Sequence, residues 1–193
     1  TLEGGKPLVE NLDEVEWTAA CFYYYAEIGR HSRGRVIPSI ESSQLSLVLK
    51  EPYGVVACIV PWNYPLLLMG WKVAPALAAG NTVVVKPSSV APLALLSLAG
   101  AFDHLPAGTV NIVTGDHDVL AEVLARHLDI EGLWYWGSRK GSRMVEEHAA
   151  DSMKRTWVNY GLYHDWTDAE QGQGEAFLRH ATEIKNIWIP YGE

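Results

Sequence analysis

Apolar positions follow two different rhythms along the chain. Between Leu12 and Ile28 they fall at Leu12, Val15, Ala19, Phe22 and Ala26, with Asp13, Glu14 and Glu16 near the start. This spacing predicts an amphipathic helix that buries those apolar residues, with acids where the helix dipole favours them. Two β-rich runs follow, Arg35 to Ile40 and Gln44 to Lys50, separated by Glu41, Ser42 and Ser43, and they predict a hairpin or a pair of edge strands with one wet face.

From Tyr53 the rhythm changes. Short apolar runs at Val55 to Val60, Thr82 to Val85, Thr109 to Val113 and Leu133 to Trp136 alternate with helical segments at Leu66 to Ala79, Pro92 to His104, His117 to His127 and Gly141 to Ala150. Strands apolar on both faces and separated by helices are the pattern of a parallel sheet covered on both sides. The predicted class is α/β: a doubly wound, mostly parallel, Rossmann-like sheet with helices on both faces, plus antiparallel strands elsewhere. The last forty residues leave this rhythm. Trp157 and Val158 are briefly apolar, Gly161 to Gly174 is polar, Glu175 to Thr182 can form a short helix, and Ile184 to Ile189 reads as a strand that pairs with its own sheet or with a neighbouring subunit.

Composition narrows the function. The 193 residues are 48% hydrophobic and 20% charged, with a formal net charge of −8. This describes a soluble globular chain and argues against binding nucleic acid, which needs a basic face. The longest apolar stretch, Pro65 to Gly80, is broken by Lys72 and Pro75 and is too short to span a bilayer. With no signal-like start, the chain is expected to be cytoplasmic. Cys21 and Cys58 suit neither a disulfide framework nor a zinc site, and the seven histidines lack metal-like spacing, so no metal is expected.

Ligands of such sheets bind beyond the carboxyl ends of the strands, so the loops there carry the candidate chemistry. In Pro61-Trp62-Asn63-Tyr64-Pro65 two prolines fix a turn. Asn63 there is either a neutral donor for an oxyanion or a residue serving its own turn. Lys86-Pro87-Ser88-Ser89 ends a buried strand with a cation and two hydroxyls, which suits a ribose or phosphate and equally a snorkelling lysine. Gly115-Asp116 precedes one helix, and Gly137-Ser138-Arg139-Lys140-Gly141-Ser142 opens another. The second is an anion site or a helix capped by Ser138. Gly172-Gln173-Gly174 follows no strand and is not a dinucleotide fingerprint.

Four segments together resemble the cofactor domain of the aldehyde dehydrogenase superfamily: Glu51 to Val56, Pro61 to Pro65, Ala76 to Ser88 and Leu105 to Asn111. The resemblance covers Thr1 to Arg155 and implies an NAD(P)-dependent oxidation of an aldehyde to a carboxylic acid. It implies that Asn63 helps hold the oxyanion. Lys86 would bind the adenosine ribose and Ser138 would touch the pyrophosphate, with Pro61, Trp62, Ser88, Ser89, Gly115 and Gly137 also lining the NAD or NADP site. Three departures stand out. Ser89 occupies a position often held by Glu in NAD-preferring members, which leaves NADP open. Trp136 replaces a Thr before Gly137-Ser138 and could crowd the nicotinamide. Ser142 replaces a glycine, with Gly141 one place early.

After Arg155 the family's general-base segment and nucleophilic cysteine are not found. Instead Thr156 to Asn159 resembles a late family segment, and Glu175 to Pro190 resembles its C-terminal helix and oligomerisation strand. The expected division is a nucleotide-binding domain at 1–155 and an oligomerisation segment at 156–193, in a homo-oligomer, dimer or tetramer. Two readings stay open: an aldehyde dehydrogenase lacking an N-terminal part, as Thr1 hints, and a catalytic domain; or an inactive module for nucleotide binding or assembly.

Overall fold

The computed structural model describes residues 1–31, 34–165, 168, 171–172 and 174–191. Gln173 of the Gly172-Gln173-Gly174 loop lies outside them. In chain order the elements are α1 (Leu8–Ile28), β1 (Arg35–Ile37), β2 (Gln44–Pro52), β3 (Val55–Ile59), α2 (Pro65–Ala78), β4 (Thr82–Lys86) and α3 (Leu93–Leu96). They continue with β5 (Val110–Ile112), α4 (His117–Arg126), β6 (Gly132–Tyr135), α5 (Arg139–Ala149), β7 (Arg155–Val158), α6 (Glu175–Arg179) and β8 (Thr182–Pro190).

Five strands form a parallel sheet in the order β5-β4-β3-β6-β7, the doubly wound topology expected from the alternating pattern. Strand order reverses between β3 and β6, where adjacent chain connections diverge to opposite sides and leave a crevice. The period-two alternation of β3 decides which face each side chain meets. Val56 and Cys58, with Val60 just beyond the strand, enter one core with α1 and α2, whereas Ala57 and Ile59 enter the other with α4 and α5. Trp134 likewise faces the first core, and Leu133 and Tyr135 face the second.

The second sheet is antiparallel, in the order β1-β2-β8. β8 pairs with β2 over nine residues, from Gln44 opposite Pro190 to Pro52 opposite Thr182. The C-terminal residues are thereby part of the main body. Phe177 is fully buried in the first core against Trp71, Trp136 and Trp157. Asn81, 2% exposed, accepts from the Gly54 amide at 3.0 Å and donates to the carbonyls of Ala76 and Ala181 at 3.0 and 2.8 Å. One amide thus joins the entry to β3, the end of α2 and the last helical turn before β8. β7 extends across residues 155 and 156 and pairs with β6.

Three local expectations are corrected. The buried face of α1 is Glu14, Thr18, Cys21 and Tyr25, while Leu12 and Val15 are more than half exposed. The helix is turned this way because the Glu14 carboxylate has partners across the interface with α2. Pro92 to His104 is not one helix but the single turn α3 followed by a 3-10 turn at Ala99–Phe102, consistent with Gly100 weakening the helix there. α6 ends at Arg179, since Thr182 is already committed to the ladder with Pro52. Among the described residues no helix is long and apolar enough to cross a membrane.

Candidate functional site

The expected site residues fall on four loops at the carboxyl ends of neighbouring strands. Pro61, Trp62 and Asn63 follow β3, and Lys86, Ser88 and Ser89 end or follow β4. Gly115 lies between β5 and α4, and Gly137 and Ser138 between β6 and α5. The sheet register sets Lys86 beside Ile59 and Ile59 beside Tyr135, so the loops after β4, β3 and β6 leave the sheet from one row.

Asn63 and Trp62 are exposed, at the mouth of β3. A cleft of about 370 Å³ beside them is lined by Lys6, Asn11, Trp62, Asn63 and Tyr64 among others. α2 starts directly after this loop with Pro65 at its first turn and no side-chain cap from Tyr64. The missing cap comes from α1. Glu14, 2% exposed, accepts from the amides of Leu66 at 2.8 Å and Leu67 at 3.2 Å, and its other oxygen pairs with Lys6. The Lys6 ammonium lies 3.6 Å from the centre of the Tyr64 ring. Periodicity alone does not reveal Glu14, because the two amides it caps are 52 and 53 residues away in sequence.

Lys86 closes β4 and is fully buried, and its ammonium donates to Ser89 Oγ at 3.3 Å. Burial lowers its pKa from the ordinary lysine value, against the pull of Asp116 and Asp118. Ser88 is buried and its hydroxyl accepts from the Val90 amide, whereas Ser89 is exposed.

At α5 the Ser138 hydroxyl accepts from the Gly141 amide at 3.0 Å, an N-cap that leaves its O–H able to donate outward. Tyr135 explains the early glycine. A Cβ on Gly137 would sit 2.7 Å from the Tyr135 hydroxyl, and one on Gly141 closer still, so the ring occupies space that a side chain at either position needs. Ser142, where the family has glycine, is fully buried and its hydroxyl accepts from the Tyr160 amide at 3.0 Å. Asn159, at the end of β7, accepts from the Gly137 amide at 3.0 Å and so holds the glycine turn from the other side. Trp136 does not stand out into the crevice. It is 8% exposed and packs edge-on against Trp157, with ring centres 5.1 Å apart.

A buried lysine lies beneath this site. Lys72, inside α2, is completely buried, donates to the Ile59 carbonyl and lies 4.3 Å from the centre of the Trp136 ring. Burial pushes its pKa down to about 7. Cys58 and Cys21 are buried free thiols, both pushed up to about 12 by burial. Neither is a nucleophile at neutral pH. Among the described residues no group of three or more His, Cys, Asp or Glu is placed to hold a metal ion.

The arrangement fits a dinucleotide. Lys86 and the Ser88 and Ser89 hydroxyls are suited to ribose hydroxyls, and the Ser138 hydroxyl with the first turn of α5, where Arg139 and Lys140 are exposed, is suited to a pyrophosphate. Gly137 and Gly141 have no room for a Cβ because the Tyr135 ring packs directly against both.

Comparison with known proteins agrees. The chain is 41% identical over 181 residues to the NADP/NAD-dependent aldehyde dehydrogenase PuuC of Escherichia coli, covering 89% of this chain and 36% of that protein. It is 42% identical over 166 residues to betaine aldehyde dehydrogenase 1 of Oryza sativa subsp. japonica, covering 83% and 33%. A crystal structure of an E. coli NADP-dependent enzyme superposes with a TM-score of 0.79 at 36% identity, over 82% of this chain and 33% of that one. The chain thus spans about a third of the length of these relatives. Residues 1–162 match the aldehyde dehydrogenase family, and with the sheet order and the loops described, the chain belongs to that family.

Proposed function

We propose that this chain is the nucleotide-binding part of an NAD(P)-dependent aldehyde dehydrogenase, acting in the oxidation of an aldehyde to a carboxylic acid. The observation that carries this reading is the convergence of Lys86, Ser89, Ser138 and Asn63 on the carboxyl ends of adjacent strands of one sheet. NAD(P), when bound, supplies the hydride acceptor. The chain's own residues orient and hold. Lys86 and the Ser88 and Ser89 hydroxyls bind the ribose, and Ser138 with the start of α5 binds the pyrophosphate. Pro61, Trp62, Gly115 and Gly137 line the site. Asn63, exposed at the mouth of β3, donates to the oxygen of the aldehyde as it becomes an oxyanion.

A second reading has its own support. The only two cysteines of the sequence are buried thiols held protonated at neutral pH, so attack on an aldehyde is not assigned to either. The 193 residues are on this view a nucleotide-binding or assembly module. The three-stranded sheet, with Ile184 and Trp188 of β8 about 60% exposed, is the proposed surface of a homo-oligomer, dimer or tetramer.

Calorimetric titration with NAD and NADP tests the cofactor reading. Saturable binding of at least one nucleotide with a Kd of about 1 mM or tighter is expected, weakened by about tenfold in Lys86→Met. Binding of neither nucleotide at that concentration rejects the cofactor reading and leaves only the assembly module.

A further inference from the structure

The surroundings of Lys86 carry an inference that rests on the cofactor reading and extends it to the choice between two cofactors. The β5–α4 loop leaves the sheet beside Lys86, since the Val113 amide donates to the carbonyl of Val85 at 2.9 Å. Three residues later Asp116 starts α4, with its carboxylate fixed by the amides of Asp118 and Val119 at 3.0 Å each. Both Asp116 and Asp118 are close enough to attract the Lys86 ammonium, whose hydrogen-bond partner is Ser89 Oγ. His117 lies between them, with its ring 5.7 Å from that of Tyr135. Burial and the nearby Lys86 lower its pKa, so it adds no full cation at neutral pH.

The ribose end of the site therefore offers one cation, two carboxylates and a neutral imidazole. A free 2′-hydroxyl suits this set, because a hydroxyl both donates to a carboxylate and accepts from an ammonium. A 2′-phosphate does not: it brings about two negative charges toward two carboxylates, of which that of Asp116 is held in place as the α4 cap, and it only accepts. We propose that Asp116 and Asp118 are specificity-determining residues that disfavour a 2′-phosphate, so that the chain binds NAD in preference to NADP even though Ser89 carries no charge.

The test is the ratio of NADP to NAD dissociation constants, by calorimetry, in the unaltered chain and in the Asp116→Asn, Asp118→Asn double variant. Asparagine caps helices as well as aspartate, so α4 keeps its start. The unaltered chain is expected to bind NAD about tenfold tighter or more, and the double variant to narrow that ratio about tenfold, chiefly by binding NADP more tightly. A second measurement needs no variant: raising salt from about 0.02 to about 0.5 M narrows the same ratio by screening the repulsion. NADP bound as tightly as NAD by the unaltered chain overturns the proposal, as does a ratio moved by neither the variant nor salt. Binding of neither nucleotide overturns the cofactor reading and this proposal with it.

Discussion

Lys72→Met is expected to stabilise the protein below neutral pH and to remove most of the pH dependence of stability between pH 7 and 9. The reason is a buried amine. Lys72 sits inside α2 with no exposed surface, donating to the Ile59 carbonyl and facing the Trp136 ring. Its pKa falls from 10.5 to about 7, because burial penalises the ammonium. The sign follows from proton counting. Between about pH 7 and 10.5 the unfolded chain holds the proton and the folded chain does not, so stability rises with pH across that window and carries its full cost below it. At 1.36 kcal/mol per unit the full cost is on the order of 5 kcal/mol, of which about 2 to 3 kcal/mol is relieved between pH 7 and 9.

Above pH 9 the buried cysteines act in the other direction. Their thiols stay protonated in the folded state to about 12 while unfolded thiols ionise, so stability falls there. His117 and His180, both lowered by burial, matter only below their ordinary value of 6.5. Comparing the variant with the unaltered chain at each pH cancels these shared groups. Methionine also removes a hydrogen bond to Ile59, worth about 1 to 2 kcal/mol. In urea denaturation at pH 6.5, 8 and 9 the variant is expected to be more stable by about 3 kcal/mol at the lowest pH, with the gap nearly closed at the highest. A constant gap, or a variant less stable at pH 6.5, would contradict this account of Lys72.

The second large effect is at Glu14. Its carboxylate replaces the missing cap of α2 and neutralises Lys6, whose side chain is only 14% exposed. Glu14→Ala leaves two backbone amides without an acceptor and a nearly buried ammonium without a partner. The expected loss is about 3 to 5 kcal/mol in urea denaturation. Glu14→Gln keeps an oxygen for the amides of Leu66 and Leu67 and loses only the charge, so it should fall between the two. Stability of Glu14→Ala within about 1 kcal/mol of the unaltered chain would show that the cap lies elsewhere. The same contact sets the direction in which the chain leaves Asn63, so the loop after β3 is fixed from α1.

What the sequence encodes locally depends on the range of the interactions. β3, β4 and β6 were readable because strands buried on both faces need continuous apolar runs, whatever packs against them. The loops at their carboxyl ends were readable for the same reason. The orientation of α1 was not. Apolar spacing placed Leu12 and Val15 inward, yet a buried carboxylate with partners on α2 outweighs two aliphatic side chains, and no local pattern encodes that. Lys72 looked like an interruption of an apolar run, because its acceptor, the Ile59 carbonyl, is supplied by the fold. For the strand at Ile184 to Ile189 the pattern leaves open whether it pairs with its own sheet or with a neighbouring subunit, and the structure pairs it with β2. Only the tertiary structure shows Phe177 inside the aromatic cluster and Asn81 bonded to Ala181, a hundred residues away. The early Gly141 was visible as a departure, but its cause, the Tyr135 ring, required the geometry of the β6–α5 turn.

The proposed function requires a dinucleotide held at the carboxyl ends of β4 and β6. Amide hydrogen exchange with and without saturating NAD addresses it most directly. Added protection is expected at residues 86–90 and 137–142, with β2 and β8 unchanged. Protection confined to the β2–β8 sheet, or none at either of the first two segments under conditions where NAD binds, would contradict it.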